Sequence, residues 1–296
     1  MSFAVNRELS NHNHQNKIAV INDISGFGRC SIVVALPIIS ALKVQCCPLP
    51  TSILSNHTGF DSYFFKDCSD FMEDYIREWD KLGLRFDGIC SGFLGSAQQI
   101  HIVKDFIARF RMERSVVIVD PVMGDYGRPY DTYTEEMCSE MRQLVTCADI
   151  ITPNLTEACI LADIPYRKGP WKKEEIRDLA RQLLAMGPKK VVITGIVKGD
   201  YITNFCWDGI RAELNPDYKG HFIRNHMIGT TRSGTGDIFA AIIAADAVNG
   251  IPFKKSVKRA SKFVRHCIIK SIELNIPVTD GVCFEEVLSD LYIYDY

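Results

Sequence analysis

"RSGTGDIFAAIIAADAV", Arg232 to Val248, begins a helix on two glycines and an acid and continues it on small apolar residues. Glycines at a helix start let a ligand come close to the backbone. The unpaired N–H groups and the helix dipole then make an anion site. The plain structural alternative is an ordinary N-terminus capped by Ser233 or Thr235, with Asp237 an acid that suits the first turn. The apolar run Ile238–Ala245 stops at Asp246, far too short to span a bilayer.

Working outward, short apolar β-rich runs alternate with amphipathic helical segments. "KIAVIND" (Lys17–Asp23) reads as a strand and Cys30–Leu42 as the helix after it. "DGICSG" is a buried strand followed by the helical Ala97–Arg111, and "VVIVDP" and "DIITPN" are strands ending at Asp120-Pro121 and Pro153-Asn154. Ile176, Leu179, Ala180, Leu183 and Leu184 share one helical face that Gly187-Pro188 closes, and "KVVITG" gives the next strand. Apolar strands alternating with helices imply a mostly parallel sheet covered on both faces. Between Tyr201 and Ile228 the alternation breaks, which reads as a hairpin-rich insert. Helices follow at Gly236–Asn249, Phe253–Glu273 and near Phe284–Leu291. Without a linker or repeat, the reading is a single α/β domain over 17–296, preceded by a flexible polar tail, 1–16. That tail has no apolar h-region, and His12 and His14 in it read as solvated.

With 47% hydrophobic and 24% charged residues the composition is globular. A net charge of −2 gives no reason to expect nucleic acid or an anionic membrane as partner. The 11 cysteines include no C-x-x-C pair, so they read as reduced, buried thiols of a cytoplasmic protein rather than a disulfide framework or zinc site.

In open α/β sheets, ligands bind beyond the carboxyl ends of the strands, where Asp23, Asp120, Asn154 and Thr194 fall. No G-x-x-x-x-G-K-[ST] is present, so the glycine start at Gly234–Asp237 is the available phosphate site. A competitor is Gly26-x-Gly28-x-x-Ser31, most of a dinucleotide fingerprint. It lacks the acid about 20 residues on; after Asp23 the next acid is Asp61. "DPVMGD" sets Asp120 and Asp125 near one strand end, and "TPNLTE" sets Asn154 and Glu157 at a helix start. Asp120 and Glu157 read together as support for a hydrated Mg²⁺, or Glu157 as a first-turn acid only.

These segments resemble the ribokinase-like small-molecule kinases, and within them the pyridoxal kinase branch. The resemblance runs from Lys17 to about Glu273 and rests on "GTGD" (Gly234–Asp237), "ITPNLTEA" (Ile151–Ala158), "DPVMGD" (Asp120–Asp125) and "SNHTGF" (Ser55–Phe60). The last points to vitamin B6. The resemblance implies Asp237 as catalytic base and Gly234, Thr235 and Gly236 as anion hole. It implies Thr152, Asn154 and Thr194 along ATP, and Asp120, Asp125 and Glu157 around Mg²⁺. Asp23, Ser25, His57 and Thr58 would meet the substrate. Many pyridoxal kinases carry a Ser-His pair where this chain has Asp23-Ile24-Ser25, so the vitamer is left open. The implied reaction is ATP-dependent phosphorylation of the 5′-hydroxymethyl group of pyridoxal, pyridoxamine or pyridoxine, by a homodimer. The alternatives are a hydroxymethylpyrimidine kinase of the same fold, a nicotinamide-dependent oxidoreductase using Gly26–Ser31, and a non-catalytic B6-binding protein.

Overall fold

The computed structural model describes residues 14–130 and 132–293. The expected flexible tail lies, through residue 13 and with His12, outside the described residues. The chain begins with β1 (Lys17–Ser25), α1 (Ser31–Ala41), β2 (Gln45–Leu54), β3 (Phe65–Asp67) and α2 (Ser69–Lys81). It continues through β4 (Phe86–Ser91), α3 (Ala97–Phe110), β5 (Arg111–Val119), a small ribbon of β6 (Gly124–Asp125) and β7 (Arg128–Pro129), and α4 (Glu135–Val145). Next come β8 (Ile150–Ile151), α5 (Leu155–Leu161), α6 (Lys173–Ala185), β9 (Lys190–Lys198), β10 (Tyr201–Asp208), α7 (Gly209–Leu214) and β11 (His221–His226). The last elements are α8 (Thr235–Val248), α9 (Phe253–Glu273) and α10 (Asp290–Ile293).

Nine strands form one sheet in the order β11-β10-β9-β8-β5-β4-β1-β2-β3. The six from β9 to β2 run parallel, and β3, β10 and β11 add antiparallel edges. The alternation of strand side chains explains why the strands are apolar throughout. Ala19 and Ile21 of β1, Val117 and Val119 of β5 and Val191 and Ile193 of β9 enter one core layer; Ile18, Val20, Ile118 and Val192 enter the other. The first layer is closed by α2 to α6, the second by α1, α8 and α9. Every residue from Ile238 to Asp246 of α8 is buried, because α8 is wedged between α1, α9 and the sheet. Small side chains let it fit there: a Cβ on Gly88 of β4 would lie 2.7 Å from a methyl of Val248.

Two expectations are corrected. Tyr201–Ile228 is not an insert: β10 pairs with β9 from Tyr201↔Lys198 to Asp208↔Lys190, and β11 continues the same sheet. The segment near Phe284–Leu291 is not one helix but a 3₁₀ turn, Glu285–Val287, and the short α10; Phe284 and Val287 serve as apolar plugs in the second layer. The eleven cysteines are free thiols; seven are buried, and Cys46, Cys47, Cys138 and Cys147 are half-buried. Among the described residues no helix is long and apolar enough to cross a membrane.

Candidate active site

The parallel register brings the strand ends together. The amide of Gly92 donates to Ile21 O (2.9 Å), that of Asp120 to Ser91 O (2.9 Å), that of Thr152 to Val119 O (3.2 Å) and that of Thr194 to Pro153 O (2.9 Å). Asn22, Gly92, Asp120, Thr152 and Thr194 thereby stand in a row along one end of the sheet, and the first three lie near the start of α8. Asn22, Ser91, Gly92, Asp120 and Asp237 line one small cavity there.

The two glycines at the start of α8 do different things. Gly234 is the N-cap, at φ +85°, and no side chain caps the helix; the Thr235 hydroxyl donates back to Arg232 O (3.1 Å). The reading of an N-terminus capped by Ser233 or Thr235 is therefore not met. A Cβ on Gly234 would sit 2.0 Å from Arg29 O, so this glycine admits the loop after β1. Gly236 instead faces open space, with Asp120 Oδ2 the nearest neighbour, 4.0 Å from the place a Cβ would occupy. Gly236, exposed, thus lies across from a carboxylate, with room between. Arg232, buried, ties the turn down by donating to Ile276 O (2.8 Å) and Pro277 O (2.9 Å).

Asp237 takes a hydrogen bond from Asn22 Nδ2 (3.2 Å), and the nearby Ser31 amide at the start of α1 also favours its charge. Burial raises its carboxyl to about 6, against the lowering by these donors. Asp120 accepts from the Thr152 hydroxyl (2.8 Å); burial, with the nearby Asp237 charge, raises it to about 7. Glu157 is buried, and both its oxygens are engaged: Oε2 accepts the Asn154 amide (2.8 Å) and Oε1 the Met123 amide (3.3 Å). Burial and the Asp120 charge hold it well above the usual carboxylate range. Asn154 completes a capping box with it and donates to Gly124 O (2.8 Å). Thr194 bridges to Asn154 across the strand end. Asp125, on the β6–β7 ribbon, accepts the Tyr126 amide (2.8 Å); burial raises its carboxyl, and its charge adds to the rise at Glu157. Among the described residues no three His, Cys, Asp or Glu side chains converge as a metal cage.

The residues expected around the substrate divide. Asp23 is buried and already accepts the hydroxyls of Ser25 (2.9 Å) and Ser31 (2.5 Å). His57 accepts the Gly59 amide on Nδ1 (3.0 Å), so it is Nε2 that carries the proton and donates to Thr279 O (2.7 Å). His57 is a pin between two loops. Thr58 beside it is exposed. The Gly26–Ser31 loop is not shaped as a dinucleotide cradle: a Cβ on Gly28 would fall 2.2 Å from the His57 ring, and Arg29 and Ser31 hold positive φ (48° and 58°). Its glycine is needed for packing. Asn22 was missed in the sequence, where it reads as one more strand residue beside Asp23.

The comparisons with known proteins agree with this geometry. The model of the phosphomethylpyrimidine kinase family matches residues 36–280. A pyridoxine/pyridoxal/pyridoxamine kinase of Bordetella avium is 28% identical over 267 residues, 86% of each chain. A hydroxymethylpyrimidine/phosphomethylpyrimidine kinase of Haemophilus influenzae is 30% identical over 186 residues, 62% of this chain and 65% of that one. A Bacteroides thetaiotaomicron protein, provisionally assigned as a phosphomethylpyrimidine kinase and crystallised with pyridoxal, superposes with a TM-score of 0.87 at 37% identity, over 94% of this chain and 96% of that one. An oxidoreductase is thereby set aside. A ribokinase-like fold and a family-model match over most of its length place one conclusion on the chain: it belongs to the phosphomethylpyrimidine kinase family.

Proposed function

We propose that the protein phosphorylates the 5′-hydroxymethyl group of a B6 vitamer, using ATP and Mg²⁺. The observation that carries the reading is the juxtaposition of Asp237 with the uncapped amides of Gly234–Gly236. Asp237, raised to about 6, is largely ionised at neutral pH yet basic enough to take the alcohol proton as the oxygen attacks the γ-phosphorus. The amides stabilise negative charge on the phosphoryl group in transit. Mg²⁺, when bound with the nucleotide, would neutralise phosphate charge. Asp120 is the carboxylate that would hold it, because its Oδ2 borders the open space and its raised proton affinity marks negative charge without a counterion. Glu157, with both oxygens engaged, would act on the cation through water or through space. Thr152, Asn154 and Thr194 would line the nucleotide. The B6 assignment draws support from the pyridoxal-bound relative and from the "SNHTGF" loop.

A second reading, phosphorylation of a hydroxymethylpyrimidine, is favoured by the family model and the Haemophilus influenzae relative. It uses the same base and anion hole on another nitrogen heterocycle. The test is ADP release over B6 vitamers, aminopyrimidine alcohols, nucleosides and sugars, with Asp237→Asn beside the wild type. The highest kcat/KM is expected for a vitamer, and Asp237→Asn is expected to lower kcat by about 10²–10⁴-fold with nucleotide binding retained. A pyrimidine alcohol that outcompetes every vitamer overturns the substrate assignment. Near-normal turnover in the variant removes Asp237 as base.

A further inference from the structure

We propose that Asn22 is a positioning residue for Asp237, holding its carboxylate in the orientation that phosphoryl transfer requires. This rests on the reading of Asp237 as the base. The terminal torsion of an aspartate is broad and roughly two-fold, so its carboxylate keeps one orientation only when fixed donors hold it. Asn22 is such a donor, and its own orientation is settled by its surroundings. It is buried at the end of β1, and its Oδ1 accepts two backbone amides, Asp23 (2.9 Å) and Phe93 (2.8 Å). Two N–H donors identify that end of the amide as oxygen. The NH₂ end is therefore the one at 3.2 Å from Asp237 Oδ1.

A separate feature makes room for this contact. A Cβ on Gly92 would lie 2.4 Å from Asn22 Nδ2 and 2.6 Å from its Cγ. Gly92 is thus the glycine that lets the Asn22 amide occupy its place. One side chain joins the ends of β1 and β4 by its oxygen and the start of α8 by its nitrogen.

A purely structural tie would need the oxygen alone, and Asn22→Asp separates the two. The aspartate keeps an acceptor for the Asp23 and Phe93 amides and replaces only the group facing Asp237. The variant is expected to lose about tenfold to a hundredfold in kcat, with KM for ATP and acceptor changed by less than about threefold. Gly92→Ala, which crowds the same amide, is expected to reproduce the split. In an Asp237→Asn background, Asn22→Asp is expected to change the residual rate by less than about threefold, since its partner is gone. Melting temperatures of the wild type, the two single variants and the double variant at pH 8, without metal or nucleotide, give a readout independent of substrate. Asn22→Asp should lower the melting temperature next to Asp237 and not next to Asn at 237. An unchanged kcat in Asn22→Asp, or losses that add in rate and in melting temperature, overturn the proposal. If the wild type phosphorylates no hydroxymethyl heterocycle, the functional reading falls, and the melting-temperature coupling alone decides whether Asn22 holds Asp237.

Discussion

Glu157 shows how one side chain can satisfy both readings that its sequence position allows. Its two oxygens accept the amides of Asn154 and Met123, which clamps the loop after β5 onto the start of α5. It also lies close to Asp120, whose charge is the second cause of its own raised proton affinity. Glu157→Gln keeps the size but turns one acceptor into a donor facing a backbone N–H. The expected cost is about 1–3 kcal/mol in stability, read as a lower melting temperature. The Mg²⁺ concentration for half-maximal rate is also expected to rise several-fold; if it is unchanged while the protein melts earlier, Glu157 is a capping residue only. Single residues were legible in the sequence where a short motif carries their chemistry, as for Asp237, Asp120 and Asn154. They were not legible where the partner is remote. Asn22 and Asp237 are 215 positions apart, and nothing local marks Asn22. His57 is the opposite case: its motif is informative in the sequence, whereas the ties of its ring to Gly59 and Thr279 come from a local turn and from a loop 222 positions away.

The first turn of α8 is the element on which the site depends, and its glycines should separate by experiment. Gly234 is constrained twice, by φ +85° and by Arg29 O, which would lie 2.0 Å from any Cβ placed there. Gly234→Ala must displace the Arg29 loop that leads into Ser31, whose amide favours the Asp237 charge. A drop of about 3–8 °C in melting temperature is expected, together with a lower kcat. Gly236→Ala meets nothing nearer than 4.0 Å, so its melting temperature should hold while its new methyl enters the ligand space and raises KM. Equal thermal losses in both variants would mean that the turn matters only for folding. Elements with one strong period were readable from the chain alone: α6 shows its apolar stripe, and β1, β4, β5 and β9 each hold a short apolar run. The β10–β11 pair was misread because it interrupts the β–α alternation. Its pairing with β9 is antiparallel and depends on register, which no single segment encodes.

At the scale of the molecule, two core layers sandwich the sheet and leave three carboxyl groups, Asp120, Glu157 and Asp237, gathered at one edge with raised proton affinities. The direction of the resulting pH dependence follows from Asp120, whose carboxyl rises from 3.8 to about 7 on folding. Below the lower value the folded and unfolded chains both hold the proton. Between the two values only the folded chain holds it, so folding takes up a proton there and stability falls as pH rises. The contribution is fully present at the acid end and is lost as pH rises through about 7. At pH 8 the native protein therefore carries a partly buried charge that the unfolded chain keeps in water. Asp120→Asn retains an oxygen for the Thr152 hydroxyl and removes that charge. Without metal or nucleotide, the variant is expected to melt about 2–6 °C above the wild type at pH 8, a fraction of the full ~1.4 kcal/mol per pKa unit because the group is partly exposed. The gain should shrink steadily as the pH falls from about 7 toward 3.8, and it should level off below that value, where both states of the wild type are protonated. Adding Mg²⁺ and nucleotide should reverse the order, stabilising the wild type and leaving the variant nearly unmoved. A variant that is less stable at every pH would show that the Asp120 charge is already compensated within the chain. If the reversal occurs, the fold gives up stability at this edge to keep a carboxylate ready for a cation, and the same charge that weakens the empty protein holds the loaded one together.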